Sequence, residues 1–350
     1  MLEESNEWKS RLYLRDHLPL FGLFNRIYSH CNKQTASCTS ISPISHLFIF
    51  GFLALSVSLT WGGLTYNAMK HGNPDNVITF SSFSKDFSHY TSLRKEWRPR
   101  ILSNCLASFL APHDVKKRGA IWSSLWLGLY FGLFLTYFRP PPYVLLFGTL
   151  AGLCYGLSPV AGARVYPWDM PATFFYAAIY VSYMKHRFAI VAALIVIGTG
   201  FKESVVILSP LFLLTPELSR NKRYFYFCSS LGGALCIKAL IDLATSNSVL
   251  FTQQFTVEPQ SELTATNLLL LENLHALLID WKLFHPLFAG SGLLIVYLCI
   301  PSKDSIATRW KWISLLFILG ILVTGKIGEA RIFYEMIPIA LGELTRRGFF

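Results

Sequence analysis

Lys202 and Glu203 stand side by side near the middle of an otherwise apolar run from Phe188 to Leu214, in the stretch GTGFKESVVILSP. An ionised side chain at mid-bilayer costs about 2.5 to 3.5 kcal/mol on insertion scales, so such a residue faces a cavity or a partner. Sequence neighbours do not share a helix face, so these two are not a mutual ion pair. At least one is expected to point into a polar cavity; the alternative is that both cap a re-entrant turn and reach water. Two further stretches carry similar groups. ARVYPWDMP, Ala163 to Pro171, sets Asp169 at a helix start, where its plain structural role would be an N-cap with Pro171 shortly inside. GKIGEARIFYEMIP, Gly325 to Pro338, carries Lys326, Glu329, Arg331 and Glu335; the last two are four apart and could pair as an interfacial salt bridge. The stretch after the first apolar block adds Asp75, Asp86, Glu96, Arg98 and Arg100.

Carboxylates and cations gathered on one membrane face suit transfer of a group from an anionic lipid carrier. Arg98, Arg100, Lys202 and Arg331 would neutralise a phosphate or diphosphate leaving group, the arginines through a bidentate fork. A carboxylate would take the proton of the attacking hydroxyl as general base. Asp169, Glu203, Glu329 and Glu335 would organise the cavity. There is no P-loop, dinucleotide fingerprint, nucleophile elbow or zinc signature, so a nucleotide at a soluble-type site is not expected. No resident cofactor or metal is expected, although the residues leave a divalent ion open.

The elements that must position these groups read as membrane helices. Of 350 residues 53% are hydrophobic and 15% charged, and the apolar residues come in blocks rather than stripes, the pattern of an all-helical polytopic membrane protein of about nine or ten spanning or re-entrant segments. Residues 1–45 read as a cytoplasmic segment with a membrane-surface helix, without a cleavable signal, so that the span at 46–66 directs insertion itself. A transmembrane domain follows over 46–345, with spans near 46–66, 120–138, 142–162, 169–184, 224–243 and 283–300, shorter ones near 312–325 and 332–345, and a cytoplasmic tail at 346–350. The block at 188–214 is either one long tilted helix or two half-length helices joined at Gly198–Gly200. Basic MKHR before it and SRNKR after it favour an excursion that returns to its own side. The long first loop, 67–119, holds a candidate interfacial helix in RKEWRPRILSNCLASFLAP, with Ile101, Leu102, Leu106, Phe109 and Leu110 on one face. A second long loop, 244–282, holds another in LLLLENLHALLIDW.

Net charge of +11 in such a chain marks cytoplasmic loops and anionic head groups rather than nucleic acid. With the long first loop set aside, the basic residues place the N-terminus in the cytoplasm, and the all-helical polytopic pattern reads as a protein integral to the inner (plasma) membrane. Seven cysteines include no C-x-x-C pair, and the histidines show no ligand spacing.

The order of RPRIL, YPWDMPATFFY, KHR, FKESVVILSPLFLL and GKIGEARIFYEMIP resembles bacterial polytopic proteins related to the GT-C membrane glycosyltransferases, over roughly residues 46–345. That resemblance implies a GT-C-like fold and a polyprenyl-phosphate-linked sugar as donor. It also implies a catalytic acid in the first extracytoplasmic loop, which by position is Asp86 or Asp75. The expected partners are membrane lipids and the lipid-linked sugar, with a membrane protein partner left open. Two rivals remain open: a transporter or flippase with broken helices, and a non-catalytic GT-C-like subunit whose partner chain carries the chemistry.

Overall fold

The computed structural model describes residues 101–110, 113–138, 166–245, 273–275, 294, 297–302, 304–324 and 335–347, all within a compact unit covering Phe50–Phe350. Among them every regular element is helical and there is no strand. They are α1 (Ile101–Ser108), α2 (Val115–Phe138), α3 (Asp169–Met184), α4 (Phe188–Phe201), a 3-10 helix (Glu203–Phe212), α5 (Arg220–Thr245), α6 (Ser305–Thr324) and α7 (Ile337–Arg346). The expected spans at 120–138, 169–184, 224–243 and 312–325 overlap α2, α3, α5 and α6, and the one expected at 332–345 overlaps the ten-residue α7 only from Ile337. Those at 46–66 and 142–162 lie outside the described residues, as does most of 283–300.

The run Phe188–Leu214 is two half-length segments. Helix α4 spans 14 residues, about 21 Å at 1.5 Å per residue. The chain breaks at Lys202, which is extended (φ −153°, ψ 127°), and not at Gly198–Gly200, which α4 absorbs. It returns as a 3-10 helix of 10 residues, about 20 Å at 2.0 Å per residue. A 3-10 helix of this length is unusual. Here the β-branched run Val205–Ile207 and Pro210 disfavour an α-helix, and the steeper rise lets ten residues retrace the length of α4. Gly198 makes the fold-back possible: a Cβ there would sit 2.9 Å from Val205 and 3.0 Å from Phe175.

The bundle accordingly has two ends. At one, Trp122 donates its indole N–H to the Pro167 carbonyl at 2.6 Å, and Trp126 packs among Phe174, Phe175 and Phe201. Lys202 and Glu335 share that end, and Leu102 of α1 lies against Gly200. At the other end the Tyr183 hydroxyl meets Thr215 at 2.9 Å, so the entry and exit of the 188–214 excursion lie on the same side. Helix α3 stops there because His186 adopts the left-handed region (φ 55°) and the N–H groups of His186 and Arg187 bond the carbonyls of Tyr183 and Ser182. Helix α5 then runs parallel to α4, with Tyr226 beside Phe188, Gly233 against Val196 and Ile237 against Gly200. Helix α6 runs antiparallel to α3, with the Trp310 ring tilted against Tyr180 and edge-on to Tyr183, and Phe317 edge-on to Tyr176.

Arg220–Ile241 in α5 and Ser305–Val323 in α6 are long and apolar enough to cross a membrane, and 11% and 39% of their apolar windows are buried. The low figure for α5 separates it from the core helix of a soluble protein. Phe225, Leu235, Leu240 and Leu243 on α5, and Trp312, Leu315, Leu316 and Leu319 on α6, are exposed. Helix α2 adds an exposed apolar line at Ile121, Leu125 and Leu129. Helix α1 falls within the stretch read as an interfacial helix, and its apolar face is divided. Ser103 and Ala107 turn inward, whereas Leu106, Phe109 and Leu110 are exposed, the last two beyond the helix end.

Candidate functional site

Three elements bring one charged group each to the break in the 188–214 run. The Lys202 ammonium lies 3.0 Å from Asp169 Oδ1 and 2.5 Å from Glu335 Oε1. The first contact is a hydrogen bond; the second is an ion pair whose alignment falls outside hydrogen-bond geometry. All three residues are buried, with 5%, 8% and 1% of their surface exposed, so the group is shielded from water as well as paired. Ser204 donates its hydroxyl to the second oxygen of Glu335, and the Tyr176 hydroxyl donates to the Ser204 carbonyl at 2.9 Å.

The local sequence accounts for each position. Asp169 is the first residue of α3, following Trp168, which caps without a side-chain bond. Its carboxylate is therefore committed to Lys202 and is not the N-cap that its place before Pro171 suggests. The extended backbone at Lys202 turns that side chain off the axis of α4 towards α3 and α7. Glu203 opens the 3-10 helix and is half-buried. Glu335 lies two residues before α7 and pairs with Lys202 on another element, whereas the Arg331 to which the i, i+4 spacing pointed lies outside the described residues. Asp75, Asp86, Arg98, Arg100, Glu329 and Arg331 lie outside the described residues. In sequence, Arg98 and Arg100 directly precede α1, and Glu329 and Arg331 precede Glu335 by a few residues.

Two polar constellations at the opposite end escaped the reading of motifs. Arg309 of α6 is buried and clasps Glu217 with two hydrogen bonds of 2.8 Å. Arg309 also donates to the Tyr183 hydroxyl at 2.8 Å, which in turn donates to Thr215, which donates to the Leu211 carbonyl. Burial pushes the Glu217 carboxyl up, but the hydrogen bonds from Arg309 outweigh it and hold the group below its ordinary value. That bond is therefore present at neutral pH and is lost as pH falls through the lowered value. In the second constellation the fully buried Glu343 accepts from the Tyr180 hydroxyl at 2.8 Å and from Arg346, which also reaches Asp304.

A signal for both constellations was present in DMPATFFYAAIYVSY. Asp169, Thr173, Tyr176, Tyr180 and Tyr183 recur at steps of four and three, one face of a helix. That face of α3 is a buried polar seam whose tips reach α4, the 3-10 helix, α6 and α7. Replacing Tyr183 with Phe removes the hydroxyl between Arg309 and Thr215 and leaves both short of a partner. The expected cost is about 1–2 kcal/mol of stability, read as a lowered unfolding midpoint in detergent.

Among the described residues no group of His, Cys, Asp and Glu could hold a metal ion. Set against family models, curated proteins and solved structures, the chain matches none of them.

Proposed function

We propose that this chain is a polytopic protein of the inner (plasma) membrane with a GT-C-like fold, and that it transfers a sugar from a polyprenyl-phosphate-linked donor to a glycan, lipid or protein acceptor on the extracytoplasmic face. The observation that carries the reading is the buried Lys202–Asp169–Glu335 group, which gathers three separate apolar segments at one end of the bundle. Exposed apolar faces on α2, α5 and α6 support the membrane setting. Among the described residues the opposite end carries Lys185, Arg187, Arg220, Lys222, Arg223, Arg309, Lys311, Arg346 and Arg347 against Glu217, Asp304 and Glu343. Against these nine cations the Lys202 end carries five among the described residues, Lys116, Lys117, Arg118, Lys202 and Lys238, and this excess supports the Arg309 end as cytoplasmic and the Lys202 end as extracytoplasmic.

In the proposed reaction an acid of the first loop, Asp86 or Asp75, takes the proton of the acceptor hydroxyl. The acceptor oxygen bonds to the anomeric carbon as the carbon–oxygen bond to the carrier phosphate breaks. Arg98, Arg100 and Arg331 take up the charge left on that phosphate. Lys202 meets two carboxylates already, so its part is to hold Asp169 and Glu335, and with them the ends of α3 and α7, while Glu203 and Glu329 complete the polar surface.

The test is transfer by the purified full chain in proteoliposomes, supplied with polyprenyl-phosphate sugars and hydroxyl acceptors. Acceptor-dependent release of polyprenyl phosphate is expected, reduced about 100-fold or more by Asp86→Asn or Asp75→Asn, the range for losing a general base. Failure to release it from any donor, or full activity in both variants, contradicts the reading. A transporter is the second reading, favoured by the charged break between half-length helices. Donor-independent uptake into the same vesicles would decide for it.

A further inference from the structure

The connections at the Arg309 end leave their cations outward. Lys185, His186 and Arg187 are exposed between α3 and α4, and Arg220 and Lys222 are exposed at the start of α5. The acids of that end are committed elsewhere: Glu217 to Arg309, and Asp304 and Glu343 to Arg346. Arg223 is also committed, to the carbonyls of Leu218 and Pro216. Arg220 lies 5.9 Å from the ring of exposed Tyr224. One step further from the tip comes an exposed apolar band of Ile190, Leu213, Leu214 and Phe225. The pairing of Phe188 with Tyr226 sets Arg187 beside the first turns of α5, so both connections contribute to one surface.

We infer that Arg187, Arg220 and Lys222 form a docking surface for the phosphates of acidic phospholipids in the adjoining leaflet. Cations stand at head-group level, and an apolar band continues beneath them towards the acyl chains. Nucleic acid or an acidic protein would satisfy the cations but leave the band in water. An acidic bilayer surface satisfies both, each cation near it contributing about fivefold in affinity at low ionic strength. The inference rests on the membrane setting proposed above and adds to it a preference among lipids.

The full chain, purified in detergent, is titrated with phosphatidylglycerol or phosphatidylcholine, and the retained lipids are counted by native mass spectrometry. Wild type is expected to retain phosphatidylglycerol at least tenfold better than phosphatidylcholine, with the difference shrinking as salt rises. The R187Q/R220Q/K222Q variant is expected to lose most of that preference. Equal retention of the two lipids by wild type, or an unchanged preference in the variant, overturns the inference. Carbonate washing of membranes runs alongside. Wild type and variant that both stay in the pellet without a lipid preference remove this inference alone, whereas release of wild type removes the membrane setting and this inference with it.

Discussion

Lys202→Met is expected to lower folding stability by about 3–5 kcal/mol, enough to abolish accumulation of a marginally stable chain. The size follows from burial: methionine fills the volume but leaves Asp169 and Glu335 without the cation that lies 3.0 and 2.5 Å from them. Removing one partner of a buried ionic group costs far more than removing the whole group, because the remaining charges keep their desolvation penalty. The triple variant K202M/D169N/E335Q therefore recovers most of the loss, and the shortfall from additivity measures the coupling. Unfolding midpoints in detergent for the single and triple variants check this. Equal midpoints for wild type and K202M would mean that the three groups are solvated and that the break is not a buried junction.

Gly198→Leu is expected to be the next most damaging substitution, through sterics instead of charge. A Cβ at Gly198 falls 2.9 Å from the Cγ1 of Val205 and 3.0 Å from the ring of Phe175. Val205 is stiff about its first torsion and fully buried, and Phe175 is wedged beside Trp126 and Phe201, so neither yields cheaply. Alanine should cost about 1–3 kcal/mol, the usual range for overpacking, and leucine more, because it must lift the 3-10 helix off α4. Gly132, with nothing within 4 Å of a Cβ, supplies the control: alanine there should be neutral or slightly stabilising. A graded loss across G198A and G198L with no loss in G132A is the expected pattern in a thermal-unfolding series.

The charged residues inside apolar runs announced where the 188–214 excursion turns, because polarity in such a run is costly enough to be meaningful by itself. Basic residues at both ends of that run likewise pointed to a return to the same side, and the Tyr183–Thr215 bond brings the two ends of the run together at one end of the bundle. What local reasoning missed is long-range pairing. Lys202 and Asp169 are 33 residues apart, Ser204 and Glu335 131 apart, so no helical spacing could connect them. Spacing rules favoured a near partner instead, giving Asp169 to its own helix as a cap. The break itself moved from the two glycines to Lys202 for a related reason. Gly198 and Gly200 serve close approach to Val205 and Leu102, a packing role that resembles a hinge in sequence. Arg309, Glu217 and Glu343 stayed unremarked because charges at the end of an apolar block look like ordinary solvated termini until burial is known.

The central claim is that residues 188–214 leave one side of the membrane and return to it, carrying Lys202 to a buried junction at the far end. Single cysteines at Lys117, Lys185 and Ser219, in a cysteine-free background, test it with a membrane-impermeant reagent on intact cells and on inverted vesicles. All three positions are exposed, Lys117 at the Lys202 end of the bundle and the other two at the Arg309 end. The account predicts that 185 and 219 label together from the cytoplasmic side and 117 from outside. Labelling of 185 and 219 from opposite sides would make the block a single crossing and contradict it.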